Sequence, residues 1–215
     1  MPPTAPTQWY LARLRTPEWV AAGATFVGIP SLGVGHNTTA AWGLTAAHAT
    51  NADLFLEELG PDGRSVREGD EFVPCEVRRE VIEVRGRAPV VEEVLVTRRG
   101  PIVTPVFEGV TDTLSLSATW LNPRPYRGLL SIHRARTAED FYETFEQAAL
   151  STVSLVYGID DGTIGWEFSS ELPVRRSGSG LIPLPGWDPT TGWEDGLVPH
   201  AALPRDRDPA CGFLA

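Results

Sequence analysis

Alternation between apolar and charged positions is the main pattern of the chain, and it predicts short strands. In residues 72–103, valine and isoleucine recur among charged residues, with Arg-Gly-Arg at 85–87 between the two halves. A period of about two residues puts the apolar side chains on one face, so this segment predicts a β-hairpin. Leu-Ser-Leu-Ser within residues 113–120 predicts a further strand. Residues 1–40, which glycine and proline interrupt often, predict short strands and tight turns.

One segment has helical spacing. Thr137 is a suitable N-cap, Glu139 and Asp140 fall in the first turn, and two phenylalanines follow four residues apart on one face. These features predict a helix that starts at Thr137 and ends near Leu150.

A second hairpin is predicted after the helix. Residues 154–157 and 164–168 flank Asp160-Asp161-Gly162, and glycine accepts the positive φ that a tight hairpin turn needs. From residue 177 onward, frequent proline and glycine predict an ordered meander with few long elements.

Many strands with at least one helix indicate the α+β class. Nothing in the composition marks a linker, so residues 1–215 are predicted to be a single domain without an internal boundary.

Composition and charge narrow the range of functions that the chain could have. The 28 acidic against 18 basic residues give a net charge of -10, which disfavours binding to nucleic acid or to an anionic membrane surface. No apolar run is long enough to span a bilayer, and the first residues lack the pattern of a signal peptide. Cys75 and Cys211 are far apart and the four histidines lack metal-ligand spacing, so neither a disulfide framework nor a zinc site is indicated.

Several short motifs follow one another in a specific order: Gly-Ile-Pro at 28–30, Gly-His-Asn at 35–37, Ala-Trp-Gly-Leu-Thr-Ala at 41–46, Asn-Ala-Asp-Leu-Phe-Leu-Glu at 51–57, Thr-Arg-Arg-Gly-Pro-Ile-Val at 97–103, and Pro-Leu-Pro-Gly-Trp at 183–187. In this order they resemble an internal piece of the β-subunit of the penicillin acylase family, whose members are N-terminal nucleophile amidohydrolases. The resemblance implies part of a four-layer αββα sandwich, strand-rich and incomplete in this chain.

The resemblance also implies an activity, namely hydrolysis of a non-peptide amide in N-acyl compounds such as β-lactam side chains or acyl-homoserine lactones. In that family an N-terminal serine attacks the amide, and a backbone N–H and an asparagine side chain stabilise the oxyanion. The backbone donor corresponds to Ala46. The serine lies upstream of the segment matched by residues 8–10 and the asparagine downstream of that matched by 212–214, so this chain is expected to be inactive alone.

Further site residues follow from the resemblance. Val34, Leu44 and Val153 correspond to the acyl-binding pocket, and their aliphatic side chains suit an aliphatic acyl group. Asp53 and the carbonyl of Ala52 correspond to ligands of a structural calcium, although Thr50 stands where many relatives carry a second carboxylate. From the residues alone, Asp53 is equally well a turn-capping residue, and the pocket residues are equally well ordinary core.

The Gly-His-Asn motif at 35–37 is assigned a structural role and not a catalytic one. His36 and Asn37 are expected to bond local backbone, and no cofactor is expected for the chemistry itself. The implied partners are the remaining α- and β-chain segments of an acylase and an N-acyl small molecule. Relatives in the family are periplasmic or secreted. Two alternatives stay open: an enzyme active only when other fragments complement it in trans, and a non-catalytic β-rich binding module.

Overall fold

A computed structural model describes residues 7–104, 109, 111–122, 124–125, 127–148 and 152–214. Contacts divide the chain into two compact units, each assembled from separated segments. Unit 1 comprises Met1–Ala49, Arg124–Glu171 and Val198–Ala215, and unit 2 comprises Thr50–Pro123 and Leu172–Leu197. The prediction of a single domain over residues 1–215 stays a prediction.

The described chain is rich in strands, which confirms the α+β class. The strands are, in chain order, β1 (Trp9–Arg15), β2 (Val20–Phe26), β3 (Val34–His36), β4 (Ala40–Ala46), β5 (Ala52–Leu56), β6 (Ser65–Glu68), β7 (Glu71–Pro74), β8 (Glu76–Ile82), β9 (Val90–Thr97), β10 (Gly100–Pro101), β11 (Leu114–Ala118), β12 (Val153–Ile159), β13 (Ile164–Ser169), β14 (Pro173–Arg175), β15 (Leu184–Pro185), β16 (Trp193–Leu197) and β17 (Arg205–Arg207). The α-helix α1 spans Ala138–Gln147, and 3₁₀ segments span Thr119–Leu121, Leu129–Arg134 and His200–Ala202. None of the helices in the described ranges has the length and apolar composition that a membrane-spanning helix requires.

Unit 1 is built on a seven-stranded sheet in the order β1-β2-β3-β4-β12-β13-β17, with every neighbouring pair antiparallel. Helix α1 packs its apolar side on this sheet. Phe141 stacks on Tyr157 of β12 with ring centroids 4.4 Å apart, and Phe145 and Leu155 are buried beside them. This cluster is the hydrophobic core of the unit.

The start of α1 confirms the predicted cap. The Thr137 side chain accepts from the Asp140 N–H, and the Asp140 carboxylate accepts from the Thr137 N–H, so the two residues form a reciprocal capping box. The described helix ends at Gln147, and the predicted end near Leu150 lies outside the described residues. The predicted second hairpin is confirmed as β12 and β13, with Gly162 at φ +99° in the turn.

Unit 2 consists of smaller sheets: β10-β9-β8, β11-β5-β15, β14-β16 and β6-β7. Strands β8 and β9 pair from Glu76 opposite Val96 to Ile82 opposite Val90, which confirms the hairpin predicted for residues 72–103. The predicted strand in residues 113–120 is β11, which ends where the chain turns into a 3₁₀ segment at Thr119.

His133 joins the turn before β3 to the core of unit 1. The residue is 2% exposed, its ring stacks on Trp19, and its Nε2 lies 3.1 Å from the backbone N of Leu32. Because a backbone N–H only donates, Nε2 must be the unprotonated acceptor. Burial, and secondarily the charge of Arg134, lowers the pKa of His133. No partner for His133 could be predicted from the sequence, because nothing in it indicates a contact with a residue about one hundred positions away.

The stability of the chain should therefore fall in mild acid. A lowered folded-state pKa means that the stabilisation by neutral His133 is complete above the unfolded value of about 6.5 and is lost as the pH falls towards the lower folded value. Replacing His133 with phenylalanine should cost about 1–3 kcal/mol at pH 8, because the Leu32 N–H loses its acceptor.

Urea unfolding at pH 5.5 and pH 8 checks this prediction. The wild-type chain should lose more stability between the two values than His133→Phe does. His36→Gln, at an exposed position, is the control and should follow the wild type. Parallel pH profiles for wild type and His133→Phe would contradict the prediction.

Candidate active site

The backbone N–H of Ala46 takes no part in the hydrogen-bond ladder between β4 and β12. Opposite residues of antiparallel strands alternate between pairs that exchange two backbone hydrogen bonds and pairs that exchange none. At one end of the β4–β12 ladder the Asp160 N–H donates to Thr39 O (2.9 Å), and at the other the Ala47 N–H donates to Thr152 O (3.2 Å). Odd-numbered positions of β4 therefore bond to β12. Ala46, opposite Val153, directs its N–H away from β12.

The strand on the other side of β4 does not reach Ala46. Strand β3 pairs with β4 only at Gly35 opposite Trp42 and at His36 opposite Ala41. Ala46 lies four residues beyond Trp42 and is exposed. Its N–H thus points to the side of β4 on which the ladder has already ended. In the described part of the chain this N–H pairs with neither β3 nor β12, so it can donate to a ligand at the end of the strand.

Two of the three predicted pocket residues lie beside this donor. Val153 is directly opposite Ala46, and Leu44 is opposite Leu155. Both Leu44 and Val153 are partly buried against the core cluster.

Val34, the third predicted pocket residue, is placed differently. Its neighbour Gly35 is opposite Trp42, whose side chain is in the core, so strand alternation turns Val34 to the other face, where it is 40% exposed.

Asn37 has the structural role expected of it. Its Nδ2 donates to the carbonyl oxygens of His133 (3.2 Å) and Ala135 (2.7 Å), and its Oδ1 accepts from the N–H groups of Thr39 and Ala40, both at 2.8 Å. This side chain therefore fixes the turn from β3 into β4. His36 is exposed and makes a local contact from Nδ1 to Asn37 O at 3.3 Å.

Asp53 and Ala52 lie on β5 in unit 2. Asp53 is 4% exposed, and its Oδ2 accepts from Arg175 Nε at 2.8 Å and from Trp193 Nε1 at 2.5 Å. Ala52 is opposite Ala118 of β11. In the part of the chain that the structure describes, no group of three or more His, Cys, Asp or Glu residues could hold a metal. These contacts do not fit a calcium site at Asp53, because an arginine already neutralises the carboxylate.

A second buried ion pair in unit 2 links two of the sequence motifs. Arg99 contacts Glu57 through Nε to Oε1 (2.8 Å) and Nη2 to Oε2 (2.6 Å), and Ser115 donates to Glu57 Oε1 at 2.5 Å. The motifs at 51–57 and 97–103 contain this pair, but the sequence alone gave no sign that the two residues meet. The same is true of Arg175 and Asp53.

Comparison with known proteins decides the family. The family model of penicillin amidase matches residues 1–215. The chain belongs to the penicillin amidase family. This finding confirms the resemblance that the ordered motifs indicated.

Relatives within the penicillin amidase family include two kinds of acylase. Acyl-homoserine lactone acylase QuiP from Pseudomonas fluorescens is 31% identical over 213 residues, which are 96% of this chain and 26% of that protein. Penicillin acylase 2 proenzyme from Pseudomonas sp. (strain SE83) is 33% identical over 194 residues, which are 89% of this chain and 25% of that protein. The chain thus spans about a quarter of the length of these relatives.

The fold is also similar to that of a solved penicillin G acylase. The thermostable enzyme from Alcaligenes faecalis superposes with a TM-score of 0.78 at 25% identity, covering 97% of this chain and 38% of that one. The chain is accordingly a strand-rich, mixed α+β part of the N-terminal nucleophile hydrolase fold.

Proposed function

We propose that this chain forms part of an amidohydrolase that cleaves N-acyl compounds, and that Ala46 supplies one oxyanion donor. The direction of the Ala46 N–H supports this most directly, since it leaves β4 where β3 has ended. An amide carbonyl that becomes tetrahedral at this point gains negative charge on oxygen, and a preorganised N–H stabilises that charge. Leu44 and Val153, next to the donor, would contact the acyl group.

We propose the substrate class from the names of two relatives. One relative is named for acyl-homoserine lactones and another for penicillin. Both kinds of compound carry an acyl group on an amide nitrogen. The aliphatic side chains of Leu44 and Val153 favour an aliphatic acyl chain over an aromatic one, because they offer no ring for stacking. An N-acyl-homoserine lactone is therefore the first substrate to test.

The rest of the machinery would come from outside the described residues. The relatives are about four times as long as this chain, and the family uses an N-terminal serine and an asparagine besides the backbone donor. We propose that the remaining acylase segments are the partners of this chain. Purified chain should accordingly show no turnover of N-acyl-homoserine lactones or chromogenic N-acyl anilides, and clear turnover by the isolated chain would contradict this part.

The oxyanion role is tested best in a chimera, in which this chain replaces the matching quarter of a QuiP acylase. The chimera should release the fatty acid from an N-acyl-homoserine lactone. Ala46→Pro removes the N–H and should lower kcat about 10²–10³-fold. Its thermal unfolding should stay near that of the parent, because this N–H makes no ladder bond.

Ala46→Gly is the matched control, since it keeps the N–H and should keep most of the activity. If Ala46→Pro folds and retains its kcat, Ala46 is not an oxyanion donor. A folded chimera that hydrolyses no N-acyl compound would contradict the proposed function as a whole.

A further inference from the structure

The positive charge beside Asp53 comes from the chain itself. The guanidinium of Arg175 bonds the Asp53 carboxylate through Nε (2.8 Å) and the carbonyl oxygen of Thr50 through Nη2 (2.8 Å). Trp193 donates its indole N–H to the same carboxylate. Carboxylate and carbonyl oxygens are the ligand types that a calcium ion takes, and here one guanidinium binds both.

The space on the other side of the carboxylate is small and apolar. Asp53 Oδ1 is buried, has no hydrogen-bond partner among the residues that the structure describes, and borders a cavity of about 110 Å³. Besides Asp53, that cavity is lined by Ala52, Leu54, Leu116, Gly180, Leu181, Ile182 and Pro183. Calcium binds six to eight oxygens, whereas the side chains here offer one carboxylate and hydrocarbon.

The backbone at Gly180 closes tightly over the ion pair. Gly180 has φ +78°, and a Cβ at this position would lie 2.8 Å from Asp53 Oδ1 and 2.9 Å from Arg175 Nη2. Thr50 also holds this segment, because its hydroxyl donates to Ser179 O at 3.0 Å. Residues 175, 179 and 180 therefore lie against Thr50 and Asp53, and Gly180 has no space for a side chain that could act as a further ligand.

We propose that Arg175 takes the place of a structural cation in unit 2, so that Asp53 is neutralised by this guanidinium and not by calcium. The family resemblance implied calcium at Asp53 and Ala52, and the contacts of Arg175 point to a different solution in this chain. The inference concerns stability and is independent of the proposed catalytic function.

Thermal unfolding of the purified chain tests the proposal. The wild-type Tm should be the same, within about 1 °C, in 5 mM EDTA and in CaCl2 at concentrations up to about 10 mM, with MgCl2 at equal ionic strength as the reference. Arg175→Ala should lower Tm by roughly 6–15 °C, because it leaves a buried carboxylate unpaired. Arg176→Ala is the matched control: Arg176 is adjacent in sequence but forms an exposed pair with Glu194, and its loss should leave Tm unchanged.

Chemical rescue distinguishes loss of the cationic group from a general destabilisation of the fold by the substitution. Ethylguanidinium at millimolar concentration should raise the Tm of Arg175→Ala and leave wild type and Arg176→Ala unaffected. A Tm of the wild type that rises with CaCl2 but not with MgCl2 would overturn the proposal, as would an Arg175→Ala variant as stable as the control. If Arg175→Ala does not fold, the calcium titration of the wild type still decides.

Discussion

Replacing Arg99 with methionine should lower the free energy of unfolding by about 3–5 kcal/mol, because it leaves the Glu57 carboxylate buried without a cation. The Glu57 side chain is 0% exposed and that of Arg99 is 6% exposed. Two parallel N–H···O contacts join them, which is the strongest geometry available to such a pair. Ser115 alone cannot neutralise the charge that would remain.

The surroundings of this pair show why the loss should be large. Glu57 follows β5 directly, and Arg99 lies in the turn between β9 and β10. Glu68 Oε1 lies 3.5 Å from Arg99 Nη1, so the guanidinium also faces a second carboxylate. A Cβ at Gly186 would be 2.8 Å from Glu57 Oε2 and 2.9 Å from Arg99 Nε, which shows how closely the backbone packs over the pair. Water has little access to replace the lost partner.

Urea denaturation at neutral pH measures the effect. Arg64→Met is a suitable control, since Arg64 pairs with Glu93 where both side chains are at least half exposed, and such pairs contribute little. The double variant Glu57→Gln/Arg99→Met should be more stable than Arg99→Met alone, because it removes the unpaired buried charge. An Arg99→Met protein within 1 kcal/mol of wild type would show that the pair is not buried as described.

Replacing Glu167 with glutamine should stabilise the chain at pH 8 by about 2–3 kcal/mol. Glu167 lies on β13 and is 5% exposed, and its buried Oε2 has no hydrogen-bond partner within the described ranges. Burial raises its pKa to about 7; Arg205 opposes the rise and Glu139 adds to it. Arg205 is directly opposite on β17, but its guanidinium lies over the Tyr142 ring at 4.7 Å.

The pH dependence follows from the sign of this shift. Below about pH 4.5 Glu167 is protonated in both the folded and the unfolded states. As the pH rises from about 4.5 to about 7, the unfolded chain releases this proton while the folded chain keeps it on the buried carboxyl, so stability is lost over this range. A rise in pKa from 4.5 to about 7 corresponds to roughly 3 kcal/mol at high pH. Glutamine carries no charge at any pH and avoids this loss.

Unfolding free energies of wild type and Glu167→Gln, measured from pH 4 to pH 8, check the prediction. The difference between them should grow with pH and level off above about pH 7.5, which separates this residue from His133, whose contribution changes in the opposite sense. Glu143→Gln, an exposed change on α1, is the control. A constant difference across the range would mean that Glu167 does not titrate with a raised pKa.

The local elements were largely predictable because the signals that set them lie within a few residues. The cap at Thr137, the turn at Asp161 and the apolar alternation of β8 and β9 each depend on near neighbours. In the turn, the Thr163 N–H donates to Asp161 Oδ1 at 2.9 Å, as expected for a turn residue. The family could also be inferred from sequence, because the order of its motifs is preserved even where single motifs are weak.

For the candidate site, the sequence could indicate positions along the chain but not how those residues are arranged in space. Resemblance pointed to Ala46, Leu44 and Val153, but the availability of the Ala46 N–H depends on where β3 stops pairing with β4. That end point is a property of sheet register. The resemblance assigned Val34 to the same pocket, and this assignment stays a prediction. The sequence did not reveal that Val34 lies on the opposite sheet face from Leu44 and Val153, because Gly35, and not Val34, is opposite the buried Trp42.

By itself, the sequence determined the element types, the α+β class and the family of this protein, since periodicity, capping and motif order are encoded locally. Tertiary structure alone decided the partners of the buried charges. Asp53 meets Arg175 and Glu57 meets Arg99 across 122 and 42 residues. Glu167 forms no ion pair with any residue that the structure describes, although Arg205 is opposite. A buried charge is stable only with a partner at bonding distance, and chain spacing does not reveal which residue folding will bring there.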